Sequence, residues 1–234
     1  MNIQTTTIEV RRHAPPKKDP ETKRSLDELT EDGIVKAEEA GKLYSGLQNL
    51  YVYSSGKQRT KQTGDLIRKG AGNIGEYVGV HNGLSLDFFD KLKDKPGNIA
   101  YGPQWIDQLM QKNPGLDEVV GREVKGFVKD AYQKHKGNYV LGVSHGPKVE
   151  IGYGSIIGTS NYGPLAADPL DGFVAEIKEA KDSGQILEAR IKYKGGEFKE
   201  VDPKQLLGNN VLALYEKNLK PSATTVAYQH KAAA

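Results

Sequence analysis

Two histidines and two arginines stand out in this sequence because together their side chains could bind and attack a phosphate group. They are Arg12, His13, Arg59 and His145. Arginine presents a planar fork of N–H donors that matches two phosphate oxygens, and it keeps its positive charge. A neutral imidazole can attack phosphorus, because one ring nitrogen is free when the other donates its proton elsewhere. Phosphoryl transfer depends mainly on positioning and charge stabilisation, which these residue types supply.

Segments typical of buried strands precede these residues. Residues 5–10 are rich in β-branched side chains, and residues 50–53 and 139–143 are short apolar runs. Helical patterns separate the strand segments, the clearest at residues 58–69 and 116–135. Alternating strands and helices favour an α/β fold, a three-layer α/β/α sandwich with a mostly parallel central sheet. Ligands bind such sheets at the carboxyl ends of the strands, so we expect the four side chains to converge there.

The remaining patterns complete a single predicted domain over residues 1–220, followed by a flexible tail at 221–234. Thr30 is a possible N-cap for a further helix. The other predicted elements are a strand at 77–80, a helix at 105–110, antiparallel strands at 173–179, 186–193 and 198–201, and a last helix at 203–219. Loops that would set substrate specificity are predicted at 15–29, 87–103 and 152–170.

Composition excludes several classes of function. The 234 residues include no cysteine, which rules out disulfides, thiolate metal sites and cysteine nucleophiles. The net charge of +3 is too small to indicate nucleic-acid binding without a clustered basic face. No apolar run is long enough to span a membrane, and the first ten residues lack the basic start and apolar middle of a signal peptide. We therefore expect a cytoplasmic protein with no membrane or nucleic-acid partner.

Four blocks of sequence occur in the order found in one known family. They are Arg12-His13-Ala14, then Leu29-Thr30-Glu31-Asp32-Gly33 with Ala37 and Gly41, then Val52-Tyr53-Ser54-Ser55 with Arg59 and Gln62-Thr63, and finally Val143-Ser144-His145-Gly146. A lone Arg-His pair would carry no weight, but the four blocks in order are specific. In this respect the chain, from about Ile8 to Gly146, resembles the histidine phosphatase superfamily, which includes the phosphoglycerate mutases.

The resemblance implies a role for each candidate residue. His13 corresponds to the nucleophile that becomes phosphohistidine, and Arg12 to the adjoining phosphate ligand. Arg59 corresponds to the second arginine, and His145 to the second histidine, which stabilises the transferring phosphoryl group. The implied fold is phosphoglycerate mutase-like, with helices on both faces of a parallel-rich sheet that has one antiparallel strand. No cofactor and no metal are implied.

The chain departs from the family pattern at two places. Ala14 stands where glycine often follows the nucleophile. Many members also carry an acid shortly after the third strand, and the most literal alignment puts Leu86 there. Asp87 is the nearest carboxylate and our candidate for the general acid, with Asp90 second, although a solvated loop carboxylate is an equally good interpretation of Asp87.

Three functions remain open on these residues. The first is a metal-independent phosphomonoester hydrolase acting through His13, on a small phosphorylated substrate or a phosphoprotein. The second is a mutase that returns the phosphoryl group to a rearranged product. The third is a non-catalytic module that binds phosphate esters, which the missing acid at Leu86 would favour. Arg11 alternates to the other face of its strand from Arg12, so a structural role is predicted for it.

Overall fold

The strands that precede the candidate residues lie side by side in one seven-stranded sheet. A computed structural model of the protein describes residues 2–22, 25–92, 105–162, 165 and 167–208. The sheet consists of β1 (Ile3–Arg12), β4 (Leu50–Ser54), β5 (Glu76–Val80), β6 (Tyr139–Ser144), β7 (Gly172–Ala180), β8 (Ile186–Tyr193) and β9 (Lys199–Glu200), in the spatial order β5-β4-β6-β1-β7-β8-β9. Neighbours from β5 to β1 are parallel, and β7, β8 and β9 continue the sheet by antiparallel pairing. Five strands therefore run one way, and two strands, β7 and β9, run against them instead of the one expected.

A separate hairpin, β2 (Pro16–Lys18) and β3 (Ser25–Leu29), occupies part of the segment predicted as a loop. The loop prediction was wrong there because both hairpin strands are largely exposed, and a strand without a buried face shows no alternation of apolar and polar residues. Only Leu29 of β3 is buried. The hairpin lies close to the start of the second helix, where it contributes a side chain to the candidate site.

Helices cover both faces of the sheet. On one face lie α1 (Glu31–Gly41) and α2 (Gln58–Gly70), and on the other lie α3 (Trp105–Lys112), α4 (Leu116–Lys134), α5 (Gly146–Ile157) and α6 (Pro203–Leu207). Thr30 caps α1 as predicted, its hydroxyl accepting a hydrogen bond from the Gly33 amide at 2.9 Å. The three-layer α/β/α arrangement is thus confirmed.

The helix α5 was missed by the prediction of a loop at 152–170. Nearly every residue of α5 is buried, so it lacks the polar face by which an amphipathic helix is identified. Its glycines look like loop signals but serve close packing: a Cβ on Gly152 would lie 2.7 Å from Val124, and one on Gly154 would lie 2.4 Å from Tyr162. The helix ends at Gly158, which has a left-handed conformation with φ of 72°.

Other predicted segments fall outside the described residues. They are the part of the loop at 87–103 beyond Leu92, the part of the last helix beyond Gly208, and the tail at 221–234. The extent of the single domain, 1–220, therefore stays a prediction. Among the described helices, none has both the length and the apolar character needed to cross a membrane.

We expect Gly70→Ala to destabilise the protein by about 1–3 kcal/mol, the usual cost of overpacking a tight contact. Gly70 lies where α2 meets α1, and a Cβ there would lie 1.8 Å from the carbonyl oxygen of Glu38. The measurement is the free energy of unfolding in urea. Gly46→Ala is the matched control, because nothing lies within 4 Å of a Cβ at that position. Equal stabilities of the two variants would contradict close packing of α1 on α2.

Candidate active site

The register of the parallel strands brings three chain segments together at one edge of the sheet. Arg12 pairs with Ser144 between β1 and β6, and Ser54 pairs with Val143 between β4 and β6. The pairing continues one residue past the strands, because the His13 amide donates to the Ser144 carbonyl at 3.0 Å. The carboxyl ends of β1, β4 and β6 therefore place His13, Arg59 and His145 around one point, as predicted from the sequence.

His13 is held in the tautomer that a nucleophile requires. Its Nδ1 lies 2.7 Å from the carbonyl oxygen of Ala14, which can only accept, so Nδ1 carries the proton. The lone pair of Nε2 then accepts a hydrogen bond from Nε of Arg59 at 3.1 Å. Burial lowers the pKa of His13 to about 3, and the charges of Arg59 and Arg12 act in the same direction. The imidazole is therefore neutral at any pH near 7, with Nε2 directed at the arginine.

The carbonyl that orients His13 is itself fixed by packing. The Ala14 amide donates to Thr63 Oγ1 at 3.1 Å, and the Ala14 side chain is fully buried in a small cluster with Leu29 and Ala37. Alanine, where the family often has glycine, thus fills a contact beside His13. An alanine instead of a glycine at position 14 is thus compatible with the orientation of the His13 ring.

His145 faces the same arginine and is oriented by a chain of hydroxyl groups. Nη2 of Arg59 lies 3.3 Å from His145 Nδ1, so the ring proton resides on Nε2. Nε2 donates to Ser55 Oγ at 2.8 Å, Ser55 Oγ lies 2.9 Å from Thr60 Oγ1, and Thr60 donates to the Lys57 carbonyl at 2.7 Å. Burial, with the charges of His13 and Arg59, holds the pKa of His145 well below its usual value. The two imidazole rings meet edge to face with their centroids 5.2 Å apart.

Arg59 is anchored by a residue of the exposed hairpin. Asp27 accepts hydrogen bonds from the amides of Gln58 and Arg59, the first two residues of α2, at 3.1 and 3.4 Å. The same carboxylate lies 3.3 Å from Nη1 of Arg59. Since no side chain of α2's own N-cap performs this role, Asp27 both caps the helix and holds the guanidinium. The role of Asp27 was not predicted from the sequence, because an exposed hairpin leaves no periodic signal.

Arg12 lies on the other side of His13 and contacts the segment before β7. Its Nη1 donates to the carbonyl oxygen of Ala167, while its buried Nε has no hydrogen-bond partner among the described residues. The guanidinium lies beside Gly146, where a Cβ would be in van der Waals contact with its Cζ at 3.4 Å. The buried Glu150 accepts a hydrogen bond from the amide of Ala167 at 2.8 Å. Arg12 therefore bonds the carbonyl of Ala167, and Glu150 bonds its amide.

We expect Glu150→Gln to stabilise the protein increasingly as the pH rises. Burial raises the pKa of Glu150 from 4.5 to about 8, so the folded protein retains a proton that the unfolded chain has lost. Between about pH 4.5 and 8, the free energy of unfolding of the wild type should fall by up to about 1.4 kcal/mol per pH unit. The neutral glutamine removes this loss. Urea unfolding at pH 5, 7 and 9 measures the difference. The exposed Glu118→Gln serves as control, and parallel pH profiles for wild type and Glu150→Gln would contradict the assignment.

Asp87 and its neighbours form a loop that is tied to the same edge of the sheet. Ser144 Oγ donates to the carbonyl of Leu84 at 2.7 Å, and Nζ of the buried Lys148 donates to the carbonyl of Ser85 at 2.5 Å. Asp87 itself is exposed, and within the described residues no hydrogen bond joins its carboxylate to the histidines or arginines. Its charge acts on Lys148, raising the pKa of that ammonium against the larger effect of burial.

The other two positions weighed for the acid differ from Asp87. Leu86, at the literally aligned position, is partly buried against the main core cluster. Asp90 lies in a 3-10 turn at Phe89–Lys91, and its side chain lies outside the part that the structure describes. Of the five candidate site residues, the structure thus brings His13, Arg12, Arg59 and His145 together and leaves Asp87 at the rim.

The electrostatics of the cluster suit an anion. Two guanidinium groups converge on two neutral imidazoles, while the first amides of α2 are bonded to Asp27. No group of three or more histidine, aspartate or glutamate side chains within the described ranges is arranged to hold a metal ion. The arrangement can therefore bind a phosphoryl group by arginine N–H donors, with the Nε2 lone pair of His13 beside it.

Comparison with known proteins agrees with this fold. The model of the histidine phosphatase superfamily (branch 1) matches residues 11–165. No curated protein sequence matches the chain significantly. The solved structures that resemble it include a mycobacterial glucosyl-3-phosphoglycerate phosphatase, with 14% identity, a TM-score of 0.50 and coverage of 84% of this chain and 100% of that one. The protein YhfR of Bacillus stearothermophilus has 19% identity and a TM-score of 0.52, covering 77% of this chain and 94% of its own.

A third similar structure is the phosphoglycerate mutase from Bacillus anthracis str. Sterne, with 16% identity and a TM-score of 0.51, covering 92% of this chain and 97% of that one. At such identities these likenesses establish the fold alone, whereas the family model matches more than half of the chain's own sequence. The matched range contains the ends of β1, β4 and β6 and all four clustered residues. The chain therefore belongs to the histidine phosphatase superfamily.

Proposed function

We propose that the protein is a metal-independent phosphomonoester hydrolase in which Nε2 of His13 is the nucleophile. The observation that carries the proposal is the pair of hydrogen bonds on His13. Nδ1–H donates to the Ala14 carbonyl, and the Nε2 lone pair meets the Arg59 guanidinium that would hold the phosphate. A dianionic phosphate bound by Arg59 would place phosphorus against that lone pair.

The reaction proceeds in two displacements. In the first, His13 Nε2 attacks phosphorus, the bond from phosphorus to the ester oxygen breaks, and the leaving alkoxide takes a proton from a general acid. In the second, water attacks the phosphohistidine, the P–N bond breaks, and the same group accepts the proton from water. Arg12, Arg59 and His145 stabilise the charge on the transferring phosphoryl group. Small phosphorylated metabolites and phosphoproteins are both substrates that this chemistry fits.

The test is trapping of the intermediate. After brief mixing with a ³²P-labelled phosphomonoester and quenching in alkali, the label should reside on His13, and hydrolysis of p-nitrophenyl phosphate should persist in excess chelator. Stoichiometric binding of the ester without turnover would instead identify a binding module. Transfer of the label to a second hydroxyl of a phosphoglycerate, faster than to water, would identify a mutase.

We propose Asp87 as the general acid, on the ground that its loop is held to the strand ends through Ser144 and Lys148. The effect of Asp87→Asn should depend on the leaving group. An alkyl phosphate needs the proton, whereas p-nitrophenolate leaves without it, so kcat should fall about 10²-fold or more for β-glycerophosphate and much less for p-nitrophenyl phosphate. Asp182→Asn, at an exposed turn, is the matched control. Equal losses on both substrates would rule out Asp87, and the same comparison on Asp27→Asn tests the carboxylate that contacts Arg59.

A further inference from the structure

A second pocket lies on the opposite face of β1 from Arg12. Its volume is about 370 Å³, which suits a small ligand. Glu9 and Arg11 form its floor, the segment after α1 forms one wall, and the start of β7 and the turn after β8 form the other. No residue of the catalytic cluster lines this pocket, so it is separate from the candidate active site.

Arg11 is held in the floor of this pocket with part of its guanidinium unused. Nε of Arg11 donates to Glu9 Oε1, while the hydroxyls of Tyr44 and Tyr139 donate to Oε2 at 2.8 and 2.6 Å. The guanidinium also lies over the ring of Tyr44, 5.5 Å from its centroid. Among the described residues no acceptor pairs with its two terminal nitrogens, and neither is sealed from solvent. The structural role predicted for Arg11 thus accounts for one nitrogen and leaves the outer edge of the fork for a ligand.

The charge of the pocket favours an anion. Glu9 is already neutralised by Arg11 and by two hydroxyl donors. Lys192 and Lys194 add two ammonium groups at the other wall, and Asp171 offsets one of them through an ion pair with Lys194 at 3.2 Å. The surplus positive charge and the free edge of the Arg11 fork together match a planar carboxylate or a phosphate.

The remaining wall is apolar. Leu43, Leu47, Leu170 and Val174 line it, and 74% of the Leu43 surface is exposed. An exposed leucine alone needs no explanation, but four apolar side chains beside an unpaired guanidinium edge define a mixed surface. A ligand that matches both the guanidinium edge and the apolar wall has an anionic group attached to an apolar body.

We propose that this pocket is a second ligand site, which binds a small organic anion, a carboxylate or a phosphate monoester on an apolar body. The anionic group contacts the terminal nitrogens of Arg11 and the ammonium of Lys192, and the apolar body packs on Leu43 and Leu170. The proposal concerns binding alone and does not depend on the hydrolytic function proposed above.

The test is an NMR titration of the ¹⁵N-labelled protein with 3-phenylpropionate and, separately, with phenylphosphonate, whose P–C bond is not hydrolysed. Gly172 and Gly195 line the pocket and report its occupancy, while Gly56 and Gly146 report the catalytic cluster. We expect shifts at the first pair, with a Kd of about 1 mM or tighter for at least one anion. Comparison of the two probes distinguishes a carboxylate from a phosphate ligand.

Charge-changing variants test whether the pocket recognises the negative charge of the ligand. Lys192→Glu should weaken binding at least about fivefold by reversing a charge at the wall. Lys199→Glu, the same change on β9 outside the pocket, should leave it unaltered. Arg11→Met should abolish binding. This variant also leaves Glu9 buried with fewer partners, which threatens folding. If Arg11→Met does not fold, Lys192→Glu provides the test by itself. Shifts confined to Gly56 and Gly146, equal affinity for uncharged 3-phenylpropanamide, or unchanged affinity in Lys192→Glu would each overturn the proposal.

Discussion

Replacing His13 by alanine is expected to lower kcat for p-nitrophenyl phosphate by about 10⁴-fold or more, with no phosphoenzyme detectable. Alanine removes the Nε2 lone pair that faces Arg59, and no other described imidazole in the cluster has a free nitrogen in the same place, because Nδ1 of His145 contacts a different nitrogen of the guanidinium. The loss should appear in kcat at saturating substrate, since Arg12 and Arg59, which we propose bind the phosphate, remain.

The control for this experiment is His135→Ala. His135 is a half-buried histidine between the end of α4 and the start of β6, where it lies 2.8 Å from the hydroxyl of Tyr53, and its loss should leave kcat within a fewfold of the wild type. Circular dichroism and urea unfolding establish that both variants fold. A His13→Ala protein that is folded and retains more than a tenth of the wild-type rate would mean that phosphoryl transfer does not pass through His13.

Arg59→Ala should lower kcat/KM by about 10²–10³-fold, which corresponds to the roughly 2.7–4 kcal/mol that one preorganised donor contributes to a transition state. Nε of Arg59 contacts His13 and Nη2 contacts His145, so one guanidinium spans both imidazoles. Lysine concentrates its charge on a single nitrogen and cannot span them. We therefore expect Arg59→Lys to recover less than about a tenth of the lost activity.

Arg68→Ala is the matched control for Arg59. Arg68 lies on the same helix, in its last turn, where it pairs with Asp65 and donates to the carbonyl of Gly75. Its removal should change stability slightly and kcat/KM hardly at all. Full activity of Arg59→Lys would show that charge alone matters at this position, in conflict with the fork geometry.

The core of the site could be predicted from sequence because it rests on strands buried on both faces. Such strands produce short apolar runs, and the residues after them must meet at one edge of the sheet. Arg12, His13, Arg59 and His145 were located in this way. The positions follow from strand register, which the apolar runs largely determine.

The parts that escaped prediction have no such pattern. Asp27 lies on a hairpin exposed on both faces, and α5 is buried all round, so neither shows the periodicity of a half-buried element. The tautomers of the two histidines depend on the Ala14 carbonyl and on Ser55, contacts between atoms that no spacing rule encodes. Glu150 contacts Ala167 across a turn of chain that was predicted as a loop.

The strand order also determines when during synthesis the site can form. β1 precedes both of its neighbours in the sequence, yet it lies in the middle of the sheet between β6 and β7. Its partners, Tyr139–Ser144 and Gly172–Ala180, leave the ribosome well after it. Such distant pairing is slow to form, and the nascent β1 must stay unpaired meanwhile. His13, which directly follows β1, should therefore be among the last of the clustered residues to reach its native surroundings.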